Sequence, residues 1–349
     1  MSTSARAGVA RRPALVALAL VLLLGAVALG LLVGPTTINP VGALIVVLDR
    51  VTGLSIHSGL SGIEAAIVWQ IRAPRVALGL LVGATLASAG GAYQGVFRNP
   101  LADPYLLGVA AGAGLGATIA ITSGAQGATG PLPIVPLAAF LGALAAVGLT
   151  YAIGVAGGER SPATLLLAGV AISAMFTAVQ TYLQLRATQT LRDVYTWILG
   201  DLSTAGWHDT LLLLPYAALS AAVLLATRRR LDVLSVGDDE AASLGIDVRR
   251  TRVVVLLAAS LGTAAAVSVS GLIGFVGIIV PHAVRLLGGT SYRRILPLSF
   301  LSGGTFLVLA DLVARISLAP AELPIGVVTA ALGGPFFVLV LRSRAGSRL

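Results

Sequence analysis

Few side chains in this sequence of 349 residues could carry covalent chemistry. The three histidines, His57, His208 and His282, stand far apart, no His-Glu-x-x-His pair occurs, and no two carboxylates share an apolar stretch. Cysteine is absent, which excludes disulfides and thiolate metal sites. Lysine is absent too, so all 23 basic residues are arginine. A P-loop sets a lysine against nucleotide phosphates. The chain therefore cannot be a P-loop ATPase, no directly bound cofactor or metal is expected, and any ATP and magnesium belong to a partner.

The charges that do occur sit where apolar stretches end. Arg72-Ala-Pro-Arg75 and Arg315 could snorkel to lipid headgroups, or could form a basic patch that takes carboxylates from another protein, because guanidinium binds them bidentately. Asp311, near the end of its apolar run, is expected to pair with a neighbour. Residues 231–252 contain the second polar feature. Ser235-Val236-Gly237-Asp238 has the form of a capping box, acids follow at Asp238, Asp239 and Glu240, where a helix N-terminus favours them, and Gly245 can stop the turn. The spacing predicts a short surface helix followed by Ile246-Asp247-Val248, either a solvated loop or a docking element for a cytoplasmic partner.

The elements that position these residues are membrane spans. The chain is 57% hydrophobic and 11% charged, too little charge to cover a soluble fold of this length. Its net charge of +9 comes from arginines between apolar runs and builds no nucleic-acid face. Nearly charge-free runs predict helices at 14–33, 76–97, 105–122, 131–156, 162–185, 210–227, 253–270, 273–289, 295–313 and 323–341, with residues 1–349 forming one membrane domain. The stretch 253–284 is too long for one span and is divided at Ser270-Gly271-Leu272-Ile273-Gly274, where part of the turn dips back into the protein. With ten spans and both termini cytoplasmic, only Arg50, Arg72, Arg75, Arg186, Arg192 and Arg315 face outward, as the positive-inside rule requires. Leaving 253–284 undivided destroys that bias. The first run reads as an uncleaved helix rather than a signal peptide.

Ordered motifs resemble a known family. Arg72-Ala-Pro-Arg75, Gly83-Ala-Thr-Leu-Ala87, Gln94, Arg98-Asn-Pro-Leu-Ala-Asp-Pro104, Trp197-Ile-Leu-Gly200, Gly274-Phe-Val-Gly277 with Pro281-His282 and Arg285, Asp311-Leu-Val-Ala-Arg315 and Glu322-Leu-Pro-Ile-Gly326 resemble the iron–siderophore and vitamin B12 type permeases of ABC importers, FecCD-like membrane subunits. The resemblance implies an all-α protein of about ten transmembrane helices with type II importer architecture in the cell membrane. It implies a homodimer with two ATP-binding cassette ATPase subunits and an extracytoplasmic substrate-binding protein. On the same resemblance, Arg72, Arg75 and Arg315 would meet acidic residues of the binding protein. Val236, Gly237, Asp238, Asp239, Glu240, Ala241, Leu244, Gly245, Ile246 and Val248 would couple to the ATPase.

A path for a bulky chelate needs small and polar lining. Ser173, Thr177, Gln180 and Thr181 give such a face at helical spacing, and the resemblance adds Ser161 and Thr164 near the inner exit, beside Gly157-Gly-Glu-Arg. Uptake of a ferric siderophore is the expected function, with cobalamin or haem as alternatives. An ion-coupled secondary transporter is the alternative of another class, set back by the lack of ionisable residues near the middle of the spans. An intramembrane enzyme lacks any nucleophile–base pair.

Overall fold

The structure, a computed structural model, describes residues 3–54, 56–125, 133–156, 162–319 and 321–345. Among them, β structure is limited to an isolated bridge between Leu318 and Ala321. The helices are α1 (Thr3–Leu32), α2 (Pro40–Thr52), α3 (Gly62–Ala66), α4 (Ala73–Val96), α5 (Val109–Thr122), α6 (Ile134–Ala156), α7 (Pro162–Arg186), α8 (Leu191–Ile198), α9 (Trp207–Leu234), α10 (Asp238–Ser243), α11 (Val248–Ser270), α12 (Val276–Gly288), α13 (Tyr292–Ile316) and α14 (Ile325–Ala345). Seven helical stretches are long and apolar enough to cross a membrane, and α5, α12 and α14 are shorter apolar helices.

One of the seven is longer than its apolar run. α3 and α4 form a continuous rod, Gly62–Val96, joined by a π-helical turn at Ile67–Arg72. Pro74 causes the irregularity: it has no N–H to give, and its ring crowds the carbonyl of the preceding turn. The helix expected from residue 76 therefore begins at Gly62, where Ser61 and Glu64 close a capping box.

α4 is the axis of the fold. Its membrane window is 83% buried, whereas those of α1 and α7 are 22% buried. It packs against α13, α11, α9 and α12. Small residues make this possible in lipid, where close backbone approach replaces the hydrophobic drive. A Cβ at Gly83 would fall on the carbonyl oxygen of Gly303, and one at Gly90 would fall on that of Gly277. Gly90→Val is accordingly expected to destabilise the fold by about 1–3 kcal/mol through overpacking, read as a lower thermal midpoint of the purified protein.

α11 and α12 are separate helices. After Ser270 the backbone unwinds through Gly271–Phe275, with Gly271 and Phe275 at positive φ. α12 has 13 residues, or about 20 Å, too short for a bilayer core of about 30 Å. It starts beside Gly90, about three quarters of the way along α4, so the unwound segment carries the chain back into the bundle.

Candidate functional site

Backbone that unwinds at membrane depth needs partners inside the protein. Tyr105 provides them: its hydroxyl accepts from Ile273 N at 3.1 Å and donates to Ile273 O at 3.0 Å. Asp201 N donates to Ser270 O at 3.0 Å, and Gly326 N donates to Leu199 O at 2.9 Å, which joins the 199–201 loop to the break and to the start of α14. Gly333 of α14 leaves room for the ring of Phe275, which lies 6.0 Å from Phe337. Removing the hydroxyl by Tyr105→Phe leaves two backbone groups unmet, at an expected cost of about 1–3 kcal/mol. A thermal midpoint equal to that of the unaltered protein would contradict this role.

Two polar clusters lie at opposite ends of α4 and α13. At one end, Arg75 Nε and Nη2 donate to Asp311 Oδ1 at 3.0 and 2.8 Å, while Nη1 and Nη2 donate to Glu322 at 3.1 and 2.8 Å. Arg315 Nε lies 3.2 Å from Asp311 Oδ2, one helical turn away on α13, and Arg315 Nη2 reaches Gly30 O at 3.2 Å. Arg72 donates to the carbonyls of Leu31 and Leu32 at 2.9 Å each, and to Thr36. It thereby caps α1, whose last carbonyls have no helical partner and carry the negative end of the dipole.

This corrects the expectation of an open basic patch. Arg72, Arg75 and Arg315 are 3%, 6% and 3% exposed, and their donors are turned onto carbonyls and carboxylates of the chain itself. Charges taken out of water need such partners. The exposed member of the cluster is Glu322, on the turn between α13 and α14.

At the other end, Asp238 heads α10. Arg252 Nη2 donates to both of its carboxylate oxygens at 3.1 Å, and Arg98, in the left-handed conformation just past α4, lies 3.2 Å from Oδ1. Ala241 is fully buried against the bundle, while Val236 and Leu244 are each 68% exposed. Gly237, Asp239, Glu240, Gly245, Ile246 and Val248 flank this anchored turn. The expected capping box at Ser235 is absent. α9 runs on to Leu234, Ser235 is its C-cap, and the Ser235 hydroxyl donates to Asp232 O at 2.6 Å; Gly237 is the N-cap of α10.

A third network was not visible in the sequence. Arg285 Nη2 donates to Gln94 Oε1 at 3.2 Å and to the Tyr292 hydroxyl at 3.1 Å, and Gln94 Nε2 reaches Gly277 O at 3.4 Å. Asp232, in the last turn of α9, accepts from Ser291 Oγ and Tyr292 N at the start of α13. These bonds run from beside α10 to the first turn of α12. In the sequence, Gln94 and Arg285 stood out at the ends of otherwise apolar runs and within the family motifs, but nothing there paired them.

The expected path residues divide. On α7, Gln180 is buried beside Gly114 of α5, Ser173 is half-buried beside Gly108, and Thr177 and Thr181 are exposed. Thr164 is half-buried at the start of α7, and Ser161 lies outside the described residues. Among the described residues no group of three or more His, Cys, Asp or Glu side chains could hold a metal ion.

A bundle of apolar helices with a broken pair at its centre, and ion-pair clusters at its two ends, is a multi-pass membrane protein. Residues 20–343 match the FecCD transport family, and the chain belongs to that family, the permease subunits of ABC transporters. It is 46% identical over 286 residues to the cobalamin import system permease protein BtuC of Halobacterium salinarum, covering 82% of this chain and 76% of that one. It is 41% identical to the hemin transport system permease protein HmuU of Yersinia pestis, covering 79% and 84%. It is 39% identical to the Fe(3+) dicitrate transport system permease protein FecD of Escherichia coli K12, covering 79% and 85%. A solved inward-facing conformation of a metal-chelate type ABC transporter superposes with a TM-score of 0.82 at 29% identity, covering 95% of this chain and 99% of that one.

Proposed function

We propose that this chain forms, as a homodimer, the membrane path of an ATP-driven importer for a bulky metal chelate, with ferric siderophore as its cargo. The observation that carries the reading is the pairing of an anchored, outward-presented α10 with a broken α11–α12 pair in a family of importer permeases. The ATPase subunits bind Val236–Val248 from the cytoplasm, where both termini also lie. A substrate-binding protein docks at the opposite end. Because Arg75 is held by a carboxylate on an exposed turn, exchange of Glu322 for a carboxylate of the binding protein is the docking contact we propose, with Arg72 and Arg315 holding the frame. The exposed apolar face of α7, including Leu167, Val170 and Met175, supports a dimer axis there, with Thr177 and Thr181 lining the path.

ATP-driven closure of the ATPases moves α10, and the Asp232–Tyr292–Arg285–Gln94 line carries that movement to α12. No covalent step takes place in this chain. Cobalamin is the second reading, favoured by the 46% identity to a cobalamin permease. Uptake of labelled ferric siderophore, cobalamin and haem by a deletion strain carrying this chain with its ATPase and binding protein tests the proposal. ATP-dependent accumulation of the ferric chelate is expected. Accumulation of cobalamin alone would replace the cargo, and uptake that survives ATP depletion but collapses with an uncoupler would overturn the mechanism.

A further inference from the structure

The cleft between the α10-side ends of α6, α7 and α11 has an unusual combination of walls. It measures about 210 Å³ and is lined by Tyr151, Gly154, Leu165, Val253 and Leu256, with Arg249 and Arg252 at its mouth. From Arg249 to Leu256 the wall descends about 10 Å along α11. The cleft thus begins at a charged rim and ends in an apolar floor. Ile153 and Leu257 beside it are exposed apolar side chains, continuous with a lipid-facing surface.

Among the described residues, the charges at the rim do not cancel. Asp238 is shared by Arg252 and Arg98, and the Asp247 carboxylate accepts the Arg250 N–H as the cap of α11. Arg252 Nε is buried without a hydrogen-bond acceptor. Arg249 is exposed, and the positive end of the α11 dipole adds to the same field. A free anion would leave the apolar walls uncovered, and an uncharged tail would leave Arg249 and the Arg252 Nε unmet.

We propose that this cleft binds one anionic phospholipid, its phosphate between Arg249 and Arg252 and one acyl chain against Leu165, Val253 and Leu256. Basic pockets between transmembrane helices at a membrane face suit such headgroups. The site adjoins the ion pair that anchors α10, so the lipid steadies the segment that meets the ATPase. The inference requires only that the bundle is in a membrane, and it stands whatever the cargo is.

Native mass spectrometry of the full-length protein, released from nanodiscs of equal phosphatidylglycerol and phosphatidylcholine, tests it. Two arginines near the headgroup correspond to a preference of roughly thirtyfold for retained phosphatidylglycerol. Val253→Phe, which fills the cleft, and Arg249→Gln, at an exposed position, are each expected to reduce that preference severalfold. Arg229→Gln/Arg230→Gln, an exposed pair on α9, is expected to leave it unchanged. Equal retention of the two lipids by the unaltered protein would overturn the proposal. So would displacement by excess inorganic phosphate, or an equal loss in the Arg229/Arg230 control.

Discussion

Asp311→Ala is expected to reduce strongly the accumulation of folded protein in the membrane. Asp311 lies between Arg75 and Arg315, with side chains 3%, 7% and 4% exposed, and it is the carboxylate common to both guanidiniums. Truncation leaves Arg315 with the carbonyl of Gly30 and leaves Arg75 dependent on Glu322, an exposed turn residue. Removing one partner from a buried ion pair costs about 3–5 kcal/mol, because the remaining charge is stranded away from water. That is a large share of the 5–15 kcal/mol by which folded proteins typically exceed their unfolded chains. Membrane yield and thermal midpoint in detergent measure it, and replacing all three side chains by apolar residues of similar volume is expected to recover much of the loss. Arg75→Glu belongs with this class: it sets a third acid against Asp311 and Glu322, so it is expected to impair folding rather than docking alone. Normal amounts of stable Asp311→Ala protein would show that the outer cluster does not hold α4 and α13 together.

The second large effect concerns coupling. Val236→Asp/Leu244→Asp is expected to eliminate ATP-dependent uptake while leaving the amount of folded permease unchanged. Both side chains are 68% exposed in the isolated chain, so a charge there meets water and costs the fold little. Buried in an ATPase groove, each would contribute about 1.5–3 kcal/mol of apolar transfer. Losing both, and placing two carboxylates against the groove, weakens association by more than about a hundredfold. Affinity of the purified permease for its ATPase, together with uptake, measures this. Arg229→Gln, at an exposed position on α9 outside Val236–Val248, serves as the neutral comparison. Full uptake by the double variant would remove α10 from the coupling role.

Apolar helices and the α11–α12 break could be read from the sequence because each is written locally, in run length and in Gly271 and Gly274. The pairing of the clusters could not. Arg75 meets Asp311 from 236 positions away and Glu322 from 247, and Tyr105 meets Ile273 from 168, distances that no periodicity records. The outer arginines therefore read as free charges when they are internal ties. Ser235 misled for a different reason. Ser-x-x-Asp fits a helix start, but α9 still needed a terminus at that point, and the hydroxyl closed the old helix instead of opening the new one. Family resemblance named the regions, but only the packing showed which side chains there face solvent.

The absence of cysteine makes the topology directly measurable. Leu244→Cys and Ser317→Cys, both at exposed positions, can be probed singly with a membrane-impermeant maleimide in intact cells and in inverted vesicles. Ser317→Cys is predicted to react only from outside and Leu244→Cys only from the cytoplasmic side. Labelling of both from one compartment would contradict the ten-span arrangement and, with it, the separation of docking from coupling.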